Sequence, residues 1–370
     1  MAKGLPIESA QALLDAAYKD LGYVDGSLID AVDSPGGLNL DDWIEKGEWL
    51  ALAKKVNAEK VFFVDNNPVI VFAKCGENEQ QLRFQQIWNM ARPPLLFLAS
   101  PGELAVLDLT HGPAESLSDW EQTRSKRHLH VVTTISEVAT ELAKYRREQV
   151  ESGCLFEEIR FGDTERADRA LVGDLKIIRR ELMADNSLDA KYAHAIIGRS
   201  IFIRYLEDRN VLVPEYFQRV AKGNKKWEQI LKTSLNRFFI NQELGNRLYL
   251  RVLSDKNFTY ALFKQLAKDF NGDMFPEDDG EEKAVKQSHL IMLQEFLCGN
   301  PDTRHPQLFF FAYRFDIIPI ELISSIYEEF YGAGLQDTID KGSHYTPPAL
   351  VEFVLSQVLT PEQLSKSPRV

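Results

Sequence analysis

A threonine and two prolines, Thr346-Pro347-Pro348, stand directly before an amphipathic stretch carrying Leu350, Val351, Phe353, Val354 and Val358. Threonine is a good N-cap, and proline at the first helical position forfeits no hydrogen bond. A sharply defined helix start is therefore predicted, with unpaired backbone N–H groups and a partial positive charge. Such an end suits a carboxylate or phosphate. Other chemically versatile side chains are dispersed. Cys75, Cys154 and Cys298 are far apart and odd in number, which fits neither a disulfide framework nor a zinc site. Of the seven histidines only His128 and His130 are close. On a strand they would share a face, and with no third ligand nearby they are expected to be ordinary strand residues. The acidic run Pro276-Glu277-Asp278-Asp279-Gly280-Glu281-Glu282 is expected to be a solvated loop or helix entry.

These residues need a scaffold. The 370 residues suffice for two or three domains with cores of their own. Hydrophobic residues at 44% and charged residues at 26% are ordinary for a globular chain. The most apolar stretch, Leu308 to Ile320, is interrupted by Arg314 and Asp316, so no membrane helix or membrane partner is expected. The N-terminus lacks the apolar core of a secretion signal, and a cytoplasmic location is expected. A net charge of −12 argues against coating nucleic acid through a global positive field, but leaves room for a local basic groove.

Residues 1–150 read as an α/β domain. Helical periodicity covers Ile7 to Leu21 and Leu40 to about Val56. The runs Val61–Val64 and Val69–Ala73 flank Asn66-Asn67-Pro68 and predict a hairpin. A helix over Glu77–Met90 closes at Arg92-Pro93-Pro94. A second strand pair, Leu95–Ala99 and Leu104–Leu109, turns at Ser100-Pro101-Gly102. A strand at Leu129–Thr133 and a charged helix from Ile135 to about Val150 follow. After a polar connector near Gly162-Asp163-Thr164-Glu165, residues 166–300 read as mainly α-helical, with amphipathic segments at Leu171–Leu182, Tyr192–Leu206, Trp227–Phe239 and Phe258–Phe270. Residues 308–370 form a third part: a strand-like run, a helix after Pro319, and the capped helix after Thr346.

The segment Gly342-Ser343-His344-Tyr345-Thr346-Pro347-Pro348-Ala349-Leu350-Val351-Glu352-Phe353 closely resembles the opening of the catalytic domain of N6-adenine DNA methyltransferases. Three upstream stretches resemble the same proteins, in particular the single-chain type IIG-like restriction–modification enzymes and related phage-defence methylases. They are Ile197–Arg209, similar to a linker-helix signature; Phe270-Asn271-Gly272-Asp273-Met274-Phe275, similar to an Asn-Gly-x-x-Phe turn; and Pro319–Phe330, similar to the helix before the methylase domain. The resemblance implies that Tyr345, Thr346 and Pro347 lie against the methionine part of S-adenosylmethionine. The Asp-Pro-Ala-x-Gly-x-Gly and Asn/Asp-Pro-Pro-Tyr/Phe loops of that family do not occur in the sequence. The chain is thus expected to be the front part of such an enzyme, inactive as a methylase by itself, with residues 308–370 the start of a truncated methyltransferase domain.

In type IIG-like enzymes the front domain is often a nuclease of the Asp…(Asp/Glu)-x-Lys kind, which holds Mg²⁺ with two carboxylates and places a lysine near the attacking water. Carried onto the first hairpin, Asp65 and Lys74 take the outer positions, and the middle acid is replaced by Phe72. Glu48, Glu59, Glu77 and Glu79 are candidates to supply a carboxylate. The expectation is a degenerate restriction-endonuclease-like domain, with Mg²⁺ needed only if that site is active. The implied partners are double-stranded DNA and other defence-system subunits. DNA-contact candidates are Arg124/Lys126/Arg127, Lys144/Arg146/Arg147, Arg179/Arg180 and Lys222/Lys225/Lys226. The alternatives are a non-enzymatic DNA-binding or assembly module acting with a separate catalytic chain, and a stand-alone Mg²⁺-dependent nuclease.

Overall fold

The computed structural model describes residues 8–31, 44–65, 67–159, 161–162, 165–184, 187–233, 247–270, 279–299 and 313–319. Helix α1 (Ala10–Asp20) is capped by the Ser9 hydroxyl, which accepts from Ala12 N–H, and ends at Gly22 with φ +78°. Strand β1 (Leu28–Asp30), helix α2 (Ile44–Lys55), and strands β2 (Ala58–Val64) and β3 (Asn67–Lys74) follow. Helix α3 (Gln80–Trp88) crosses over to β4 (Leu95–Ser100), which returns as β5 (Glu103–Asp108). Short helices α4 (Leu117–Gln122) and α5 (Arg124–Arg127) lead to β6 (His128–Val132).

The strands form one sheet in the order β1-β2-β3-β4-β5-β6. Every neighbouring pair is antiparallel except β3 and β4, which run parallel with Ile70 opposite Leu95. The parallel pair requires the α3 crossover, because no tight turn can join parallel strands. Both predicted hairpins are present, β2–β3 and β4–β5. Strand residues alternate between two apolar layers. Phe62, Ile70, Phe72, Leu95, Phe97 and Val106 face Leu13, Leu14 and Ala17 of α1. Val61, Phe63, Val71, Leu96, Leu98 and Leu107 face the side that carries Trp49 of α2 and Phe84 and Trp88 of α3.

Two expectations about the end of this part are corrected. The predicted helix from Ile135 to Val150 is broken into α6 (Ile135–Glu141), a 3₁₀ turn (Ala143–Tyr145) and α7 (Arg147–Glu151). The break turns Tyr145 into the core, where its carbonyl accepts from the Tyr23 hydroxyl. His128 and His130 do not share a face. In the register, His130 opposes Val106 and His128 opposes Leu107, so β6 carries one extra residue in a β-bulge. The His128 ring packs on Trp120 in one layer, and the His130 ring on Tyr145 in the other.

After α8 (Cys154–Glu158) the described chain is helical: α9 (Ala167–Met183), α10 (Ala190–Asp208), α11 (Pro214–Ala221), α12 (Lys225–Lys232), α13 (Leu248–Val252), α14 (Lys256–Asp269), α15 (Asp279–Ala284) and α16 (Gln287–Leu297). The apolar residues of these helices join the α2/α3 side of the sheet in one continuous core. Residues 313–319 lie in the seam. Tyr313 packs on Trp88 at 5.4 Å and its hydroxyl donates to Asp174, while Arg314 N–H donates to the Asn89 side chain. Phe315 N–H donates to Asp208, and Arg209 donates to the Phe315 and Ile318 carbonyls. No described helix is long and apolar enough to cross a membrane.

Candidate functional site

The β2–β3 hairpin separates the two residues of the expected nuclease pattern. Asp65 is exposed in the connecting turn with φ +52°, a conformation Asp and Asn tolerate best after glycine. Lys74 closes β3 at the other end, seven residues after Asn67, and so roughly 23 Å from the turn at 3.3 Å per residue. Asp65 and Lys74 therefore do not share a site. What meets Lys74 is Glu59, one of the four candidate acids, with Nζ 3.3 Å from Oε2, and Gln11 of α1, whose Oε1 accepts at 2.9 Å.

A polar cluster extends from this point. Gln11 donates to Asp15 at 2.9 Å. Asp30 of β1 pairs with Lys60 of β2, and Lys60 Nζ lies 5.5 Å from the centroid of the Tyr18 ring. The Tyr18 hydroxyl is buried and has no hydrogen-bond partner among the described residues. Burial raises its pKa first, and Glu59, Asp15 and Asp30 raise it further, so the phenol keeps its proton. Gln11, Asp15 and Tyr18 sit at i, i+4 and i+7, one stripe of α1 beside its apolar face. That spacing was visible in the sequence. Asp30 was not, because β1 is too short to signal itself.

The donor set does not fit Mg²⁺. Phe72 fills the place of the middle carboxylate, is fully buried, and packs on Tyr18, Tyr23 and Phe97 at 5.1, 5.3 and 5.0 Å. A carboxylate in that aromatic nest would face a large desolvation penalty. The carboxylates that do reach the hairpin end, Asp30 and Glu59, are each bonded to a lysine ammonium. No three His, Cys, Asp or Glu among the described residues are grouped to hold a metal.

A second polar group joins the two halves. His111 lies 3.5 Å from Glu165 and 3.8 Å from Asp108. The Glu165 carboxylate beside it raises the His111 pKa, against the opposing effect of burial. His111 in turn holds Glu165 down to about 2, helped by the Gly112 N–H donated to Glu165 at 2.9 Å. The Glu165 carbonyl also accepts from the Trp88 indole.

The stretch Ile197–Arg209 lies on α10 and its C-cap, and its charges are interior. Arg199 is bonded to Glu281 at 2.6 Å, and Glu281 also accepts from the Tyr260 hydroxyl. Arg204, only 2% exposed, reaches Glu207 at 3.3 Å and Asp208 at 3.1 Å. Glu207 accepts the Leu248 and Tyr249 N–H groups that open α13, and Arg247 pairs with Asp208 at 3.0 Å. These side chains hold α13, α15 and residues 313–319 to α10. Glu281 also corrects the solvated reading of the acidic run, since it is buried.

Among the basic clusters, Arg124 pairs with Glu103, Arg127 is buried on the Gly112 carbonyl, and Arg147 pairs with Glu151. Tyr345, Thr346 and Pro347 lie outside the described residues, as do all but Phe270 of the Asn-Gly turn and all but Pro319 of the segment after it. The fold thus defines a mixed six-stranded α/β unit joined to a helical unit. No family model, curated protein or solved structure matches the chain.

Proposed function

We propose that this chain is the DNA-handling front part of an N6-adenine DNA methyltransferase of a restriction–modification or phage-defence system, whose α/β unit is a nuclease-like domain that no longer cleaves. The observation that carries the non-cleaving part is the hairpin end. A lysine, an acid and α1 side chains meet there as an Asp…(Asp/Glu)-x-Lys site would need. The middle position is occupied by buried Phe72, and the acids on the strands, Asp30 and Glu59, are paired with Lys60 and Lys74. The methyltransferase part rests on the resemblance of four segments. Its cofactor would be S-adenosylmethionine, with Tyr345, Thr346 and Pro347 at the methionine end.

The test is a titration of labelled duplex DNA into the full chain, with and without Mg²⁺, following binding and cleavage across a salt series. Salt-sensitive binding without cleavage is expected. Mg²⁺-dependent cleavage abolished by Glu59→Ala or Lys74→Ala would overturn the non-cleaving domain. Absence of binding at low salt would remove DNA as the partner.

A further inference from the structure

Five lysines gather where three helices of the helical unit begin. Lys222, Lys225 and Lys226 surround the turn into α12, Lys256 opens α14, and Lys286 precedes α16. Packing joins these starts. Trp227 stacks on Phe258 at 4.9 Å with the rings 4° apart, which lays the first turn of α12 on that of α14. Lys256 N–H donates to the Gln287 side chain at 2.7 Å, and Gln287 donates to the Leu253 carbonyl at 3.0 Å, which fixes α16 beside them. Lys256 and Lys286 are both close enough to depress the pKa of the buried His289, after burial itself.

The local acids do not cancel this charge. Asp255 is buried, caps α14 through Phe258 N–H, and is paired with Lys226 at 2.6 Å. Glu228 turns back to accept Gly223 N–H at 3.1 Å. Lys222, Lys225, Lys256 and Lys286 take part in no ion pair among the described residues. Asn257 and Ser288 are exposed between them and add neutral donors. The Asn224 and Asp255 side chains already cap the first turns, so the ammonium groups, rather than the helix ends, are what the surface offers. On a chain of net charge −12, a concentrated cationic strip is where a polyanion approaches with least repulsion.

We infer that this strip, Lys222, Lys225, Lys226, Lys256 and Lys286, is the surface that contacts the phosphate backbone of duplex DNA. The inference rests on the DNA-handling function proposed above and locates it in the helical unit, away from the hairpin end. Contact of this kind is independent of sequence and positions the duplex without reading it.

The test compares the full chain with a Lys225→Ala/Lys256→Ala/Lys286→Ala variant. A charge-matched control, Lys19→Ala/Lys54→Ala/Lys268→Ala, changes exposed lysines elsewhere. Duplex binding is followed from 50 to 300 mM salt, and melting curves verify that each variant is folded. Each lysine that meets a phosphate contributes about 0.9 to the slope of log affinity against log salt. The strip variant is therefore expected to lose two to three units of slope, and the control none. Equal slopes and affinities in strip variant and control, with the unaltered chain still binding, would overturn the strip alone. Absence of salt-dependent binding by the unaltered chain would overturn the strip and the DNA-handling function together.

Discussion

His111 and Glu165 give the seam between the two units a pH-dependent contact. The folded-state pKa of His111 is raised, so its contribution is complete below the unfolded value of about 6.5 and fades as pH rises through the folded value. Glu165 is held down to about 2, so its contribution is complete above about 4.3 and fades as pH falls toward 2. Both describe one interaction, strongest between about pH 4.5 and 6.5. Glu165→Gln should thus lower the urea midpoint more at pH 5.5 than at pH 8.5. The effect should be about 0.5 kcal/mol, since both side chains are part-exposed and screened. Equal losses at the two pH values would sink this account. Little of this pairing was legible in the sequence: 53 residues separate Gly112 from the Glu165 that it contacts, and no local pattern signals such a meeting. Phe72 is the opposite case. A phenyl at the middle position of the expected pattern is readable directly, and the structure adds that it is fully buried. Asp65 and Lys74 were misjudged as partners because their spacing fits a motif, whereas strand geometry puts them at opposite ends of β3.

Among the elements, α10 draws its importance from charges that a surface helix would expose. Arg204→Ala would leave Glu207 and Asp208 buried beside each other without their shared cation, and should cost about 3–5 kcal/mol in denaturant unfolding. Arg204→Lys should recover only part of this, because one ammonium cannot reproduce the two-sided fork of a guanidinium. A loss below about 1 kcal/mol for the alanine variant would show that the network is not structural. Periodicity located α10, α9 and α14 well, since each carries apolar residues at helical spacing. It did not show that the intervening arginines and acids of α10 are interior, because burial of paired charge depends on partners from α13, α15 and residues 313–319. The Ile135–Val150 segment failed for a similar reason: its propensity is helical throughout, but seating Tyr145 under the sheet breaks it. The strand β6 is where it was expected, but a single extra residue in it reversed the facing of His128.

For the molecule as a whole, the core running from the α2/α3 side of the sheet into α9, α10 and the later helices ties the two units together. We expect one unfolding transition, with far-ultraviolet circular dichroism and tryptophan fluorescence coincident in urea, Trp88 reporting from the seam. Two resolved transitions would mean that the units fold separately despite their shared core. The α/β class was legible, because the strand-rich run up to Val132 gives way to helical periodicity after it. The parallel pairing of β3 and β4 was not, since two hairpins in sequence do not reveal how their inner strands align.

Trp88 and Asn89 await partners synthesised 225 residues later, at Tyr313 and Arg314. At translation rates of about 5–20 residues per second, that interval is roughly 10 to 45 s. During it the sheet and α3 are already made while the patch around Trp88 and Asn89 lacks the cover of Tyr313 and Arg314. The seam is therefore a point of vulnerability in biogenesis: the emerging α/β unit would present an adhesive face to chaperones and to neighbouring nascent chains until the distant segment arrives to cover it.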